Sequence, residues 1–163
     1  MQILDVVLSI FVGGVVLFLW TGLAQNIFTW GVRSVQQHDG DDTIGGALAE
    51  VSEDGMLYVK DRVAAFIAIK PTSYYSTKRY FIIEFITQLA VGCVITAILL
   101  LTDGLADGQR VLIIGLVGLA GVASIDLQYW NWWGFSSRYT LGVAVNRLVG
   151  YLLATVILIN WIL

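Results

Sequence analysis

One cysteine, one proline and one histidine occur in 163 residues, and only 13% of the chain is charged. A single cysteine excludes a disulfide within the chain. Cys93 falls in the middle of an apolar run, so it reads as an inert small packing residue and not as a reactive thiol. The lone histidine, His38, lies outside the apolar stretches, which excludes a haem held by histidines within a membrane. Basic residues are also few, nine Lys and Arg against twelve Asp and Glu, for a net charge of −3 and a pI near 4.9. Such a chain has no basic field with which to grip phosphates, so nucleic acid is not an expected partner. Nucleophile elbow, phosphate loop, zinc spacing and dinucleotide fingerprint are all missing. The turn His38-Asp39-Gly40-Asp41-Asp42 has oxygen ligands and an imidazole but not the spacing of a calcium loop, and reads as a solvated acidic turn. No metal and no cofactor are therefore expected, and an enzyme would have to work with carboxylates and one arginine.

What the chain has is apolar surface. It is 58% hydrophobic with a mean hydropathy of +0.80, whereas soluble domains hold about 45–50% apolar and about 25% charged residues. Four runs are long enough to cross a hydrocarbon core, which takes about 20 helical residues. They are Ile3 to Ala24, Phe81 to Leu101, Val111 to about Trp130, and Tyr139 to Trp161. The first lacks a basic leading region and a small-residue cleavage pattern, so it is expected to be a true span. Thr102 to Arg110 joins the second and third runs, and Gly134 to Arg138 joins the third and fourth. Both are short enough to make antiparallel neighbours. The expected fold is an all-α membrane protein, a single four-helix transmembrane bundle.

Between the first two spans lies the extramembrane insert, residues 25–79. Ile44, Ala47, Leu48 and Val51 recur at helical spacing within Thr43 to Val51, predicting a short amphipathic helix stopped near Gly55. Met56 to Val59 and Val63 to Ile69 read as two strands around Lys60-Asp61, ending at Pro71. A unit this small buries too little to fold alone, so it is expected to pack on the membrane surface or on a partner.

Orientation follows from Lys and Arg. Arg33, Lys60, Arg62, Lys70, Lys78, Arg79 and Arg138 share the insert side, against Arg110 on the other. The positive-inside rule puts the insert in the cytoplasm. Trp20, Trp30, Trp130, Trp132 and Trp133 mark the same interface, with Trp161 opposite.

The polar residues within the spans are the most informative. Glu84 and Gln88 lie one turn apart on the second span, and Gly92 and Thr96 continue their i+4 row. The fourth span has an equivalent row, Gly142, Asn146, Gly150 and Ala154, with Arg147 beside it. The third span carries Gly115, Gly118, Gly121 and Ser124 before Asp126. Small rows let helices approach closely, and the fourth span is expected to make the closest helix contact. By helical rise, Glu84 lies about 7 Å in from the insert side, and Gln88, Asp126, Asn146 and Arg147 roughly 10–14 Å in. The five residues form a candidate intramembrane polar site. Asp126 and Arg147 are the natural ion pair, with Glu84 or Asn146 expected to share the remaining donors of the guanidinium. Such a cluster either locks the bundle or holds a ligand, ion or proton.

Phe18-Leu19-Trp20 closing the first span, Asp54-Gly55-Met56-Leu57-Tyr58, the Pro71 exit, and Tyr129-Trp130-Asn131-Trp132-Trp133-Gly134-Phe135 leading to Tyr139-Thr140-Leu141 together give the chain a shape. In that order of parts it resembles a loose group of small four-span bacterial membrane proteins. The resemblance implies the topology and a bacterial inner membrane, and implies no activity. Two functions are carried forward. One is a non-enzymatic membrane scaffold or accessory subunit, associating with other membrane subunits or with itself. The other is a small channel or transporter subunit with its site at Glu84, Asp126 and Arg147. A lipid-modifying membrane enzyme comes third.

Overall fold

Without water to satisfy them, backbone N–H and C=O groups must pair within the segment, and the helix is the form that does so for a single apolar run. A computed structural model of the chain describes residues 3–31, 33, 46–48, 50, 55–60, 64–74 and 76–163. It contains four helices long and apolar enough to cross a membrane. The first is α1, Ile3–Asn26; the second is α2, Thr77–Leu101; the fourth is α5, Ser137–Trp161. The third crosses as three segments in line: α3, Asp107–Gly121, a π-helical turn, Val122–Asp126, and α4, Leu127–Trp133. The chain is a four-helix all-α bundle carrying a small hairpin between its first two long helices.

Helix ends reach beyond the apolar runs. α2 starts at Thr77 and takes in Lys78 and Arg79, and α1 takes in Gln25 and Asn26. Long polar side chains at a helix end reach back to the interface, so hydropathy marks the lipid-facing part of a helix and not its full length. α5 starts where Ser136 accepts a hydrogen bond from the Tyr139 N–H at 3.1 Å. Gly134, at φ 71°, ends α4 in the left-handed conformation that a side chain disfavours.

In the insert, β1, Gly55–Lys60, pairs antiparallel with β2, Ala64–Ile69, from Gly55 opposite Ile69 to Lys60 opposite Ala64. Tyr58 and Phe66 face each other in register and stack at 4.5 Å, and Phe66 meets the Trp133 ring edge-on at 5.0 Å. The hairpin thus docks on the insert-side end of the third span. Residues 61–63 lie outside the described residues, as do Ile44 and Val51 of the expected amphipathic helix and the turn from His38 to Asp42. Residues 46–48 and 50 are helical.

α1 runs along both α2 and α5, and α3 packs on α5. α2 and α3 barely touch, although a short connection joins them. A short connection makes two helices antiparallel but does not hold them together along their length. Here α5 stands behind the gap, leaving an apolar cleft between α2 and α3. Of the core, Ile95, Leu99, Ile114, Ala154 and Leu158 lie in the half of the bundle away from the insert, and Leu17 lies at the edge of the insert-side half.

Between two helices the tightest approach is that of α1 and α2, while the α5 row makes a still tighter one at Gly142, against backbone just beyond α1. A Cβ on Gly92 would meet the backbone N of Gly14 at 2.7 Å and the backbone O of Ile10 at 2.9 Å. The α5 row does face inward, against other things. Gly142 lies against the backbone of Trp30 and Gly31, just beyond α1, and Gly150 lies against the Trp20 ring, while Ala154 is fully buried. On α3 the glycines accept side chains of α5, Gly118 those of Leu148 and Tyr151, and Gly121 the Cδ of Arg147. Small-residue spacing marks a face, whereas the element that fills it depends on the topology.

Candidate functional site

Arg147 on α5 and Asp126 at the end of the π turn meet through two hydrogen bonds. Nε donates to Oδ2 at 3.1 Å and Nη2 to Oδ1 at 2.9 Å. Asp126 is 5% exposed, so the carboxylate is withdrawn from lipid and solvent alike. The π turn explains how it gets there. On a regular α-helix, a residue five places after Gly121 would lie well off the stripe that Gly121 presents to Arg147. The wide turn, closed by the Leu127 N–H on the Val122 carbonyl, takes up an extra residue and brings Asp126 round beneath the guanidinium. Ser124 donates to the Ala120 carbonyl at 2.7 Å and so satisfies part of the loosened backbone.

Glu84 and Gln88 are joined on α2, Gln88 Nε2 donating to Glu84 Oε1 at 2.7 Å. Both line a cavity of about 180 Å³ between α1, α2 and α5, together with Thr21, Gln25, Asn146 and Arg147. Four of the five candidate residues therefore open into one space. Asp126 sits behind Arg147, in a second cavity of about 200 Å³ lined by Tyr129, Phe135, Tyr139 and Thr140. The ion pair stands between the two cavities.

The sharing expected of Glu84 or Asn146 is absent among the described residues. Glu84 bonds Gln88, and Tyr151, one turn along α5, is the further group that interacts with the guanidinium. The side-chain oxygen of Asn146 is buried without a partner, while its backbone carbonyl accepts a hydrogen bond from Trp20 Nε1 at 3.0 Å. Asn146 lies on the α1-facing side of α5 and Arg147 turns towards α3, because consecutive helical residues diverge by about 100°. No family model, curated protein or solved structure compared with the chain matches it.

Several contributors carry no distinct sequence signal. Trp20 reads as an interface aromatic, yet it holds α1 to α5. Tyr151 reads as one apolar position of the fourth span. Thr21 and Gln25, an i, i+4 pair at the end of α1, were the detectable signal, because they repeat the spacing of Glu84 and Gln88 across the cavity. Arg110 reads as a flanking charge but is 4% exposed, and its Nη2 donates to the Leu99 carbonyl at 3.1 Å.

Proposed function

We propose that the chain is a non-enzymatic integral membrane scaffold or accessory subunit of a larger membrane assembly. In this reading it sits in a bacterial inner membrane with residues 25–79 on the cytoplasmic side. The observation that carries it is the apolar core, whose members Ile95, Leu99, Ile114, Ala154 and Leu158 lie in the half of the bundle away from the insert, with Leu17 at the wall of the polar cavity. An ion or polar solute entering the cavity at Glu84 meets packed hydrocarbon beyond it, where each uncompensated charge costs several kcal/mol. The ion pair supports the same reading, since the two hydrogen bonds between Arg147 and Asp126 join α5 to the third span. The cytoplasmic insert rests on the excess of Lys and Arg flanking it.

A channel or transporter subunit is the second reading. Two features favour it, the unpartnered oxygen of Asn146 and a carboxyl group, Glu84, in the same cavity. Reconstitution into liposomes with proton- and potassium-sensitive dyes separates the two. A scaffold leaves flux at the level of empty vesicles and is recovered from native membranes in fixed stoichiometry with another subunit. Flux that Glu84→Gln abolishes overturns the scaffold reading.

A further inference from the structure

The polar cavity adjoins the cleft between α2 and α3. That cleft has a volume of about 260 Å³ and a lining of Ala90, Val94, Ile95, Ile98, Ile114 and Val117. Thr87, Val91 and Tyr151 line both spaces, so the two meet along one wall. Val94 is 55% exposed and Val117 41%, which places the cleft's mouth on the lipid-facing side of the bundle. A polar chamber on the insert side beside an apolar slot towards the bilayer centre matches the two ends of an amphiphile lying along the membrane normal.

The chemistry of the chamber selects the head. Arg147 is already neutralised by Asp126. What the chamber has to spare is acceptors. Glu84 is bonded, among the described residues, only to the neutral amide of Gln88, which uses one carboxyl oxygen. The Asn146 side-chain oxygen is buried with no donor. An ammonium group carries three donors and no acceptor, which complements this pair, whereas an anionic head would face the Glu84 carboxylate. A quaternary ammonium has the charge but no N–H to give. We infer that the chamber and cleft together form a binding site for a membrane amphiphile with a primary-ammonium head, its chain lying between α2 and α3. The inference holds whether the subunit is a scaffold or a transporter.

Two sources share this chemistry, a phosphatidylethanolamine of the bilayer and a free single-chain amine. Native mass spectrometry of the detergent-solubilised full chain, given equal amounts of phosphatidylethanolamine, phosphatidylcholine and phosphatidylglycerol with identical acyl chains, tests it. The expected result is several-fold greater retention of phosphatidylethanolamine than of the other two, falling to the phosphatidylcholine level in E84Q. V94W fills the cleft at an exposed position and should also lower retention; it decides the matter should E84Q fail to fold. Dodecylamine in a parallel arm separates the sources. Retention of dodecylamine but of no phospholipid, lost in E84Q, assigns the site to a free amine. Equal retention of the three lipids without dodecylamine binding overturns the inference, as does a phosphatidylethanolamine preference untouched by both variants.

Discussion

Arg147 and Asp126 lie 21 residues apart in sequence and meet through paired hydrogen bonds of 3.1 and 2.9 Å, across the joint between the third and fourth spans. A bidentate pair fixes direction as well as distance, because the guanidinium fork fits a carboxylate in one plane. The pair therefore sets the rotation of α5 against the π turn.

Removing one member should hurt more than removing both. Asp126→Asn leaves a guanidinium with no counter-ion, at an expected cost of about 3 kcal/mol. That is the low end of the usual range, because the Arg147 side chain remains 24% accessible. The double variant Asp126→Asn, Arg147→Gln should recover more than half of the loss. Thermal unfolding in detergent measures both, and a double variant less stable than either single one refutes the pairing.

The glycines differ in what stands opposite them. At Gly92 a new Cβ meets backbone, which can yield only by parting α1 from α2, while at Gly150 it meets the Trp20 ring at 2.9 Å, a side chain that can shift at the expense of its hydrogen bond to the Asn146 carbonyl. Overpacking of this kind costs about 1–3 kcal/mol. Gly92→Ala is expected at the upper end and Gly150→Ala at the lower. Equal losses in unfolding temperature would mean that the α1–α2 crossing is looser than the structure shows.

How far the sequence alone reaches is clearest at these same positions. The four spans are legible because their apolar runs match the thickness of a bilayer, a one-dimensional property. That Glu84, Gln88, Asn146 and Arg147 lie at one level of the bundle is legible for the same reason, since level is helical rise counted from an end. Direction around the helix is harder to read. The π turn adds a residue that the 3.6 period does not contain, so the facing of Asp126 cannot be obtained by counting. The partner of each glycine depends on which helices touch, and a short connection between α2 and α3 did not bring those two together. Arg110 shows a third limit, because charge alone does not tell a flanking arginine from a buried one.

Topology is testable with single cysteines in a Cys93→Ala background. Ser73 and Asp103 are both exposed and lie at opposite ends of α2. With the insert in the cytoplasm, an impermeant maleimide should label Asp103→Cys in intact cells and Ser73→Cys only after lysis. The reverse pattern inverts the orientation and leaves the bundle as it is.

Arg110 should matter to stability more than its place at the edge of a span implies. The last carbonyls of a helix have no backbone partner within it, and α2 ends at Leu101, so the Leu99 carbonyl is left with a long contact, 3.3 Å, from the Thr102 hydroxyl. The Arg110 guanidinium reaches back from the first turn of α3 to donate to it, and its charge meets the negative end of the α2 dipole. Its contact with Asp107, at 3.5 Å, is weaker, and Asp107 is 72% exposed, where ion pairs contribute little. Arg110→Met keeps the aliphatic stem but loses the donor and the charge, for an expected loss of about 1–2 kcal/mol. Asp107→Asn should cost well under about 1 kcal/mol. Hydrogen exchange separates this account from simple packing. Arg110→Met should speed exchange of the amides in the last turn of α2 and leave those near Glu84 unchanged, whereas a general loosening would speed both.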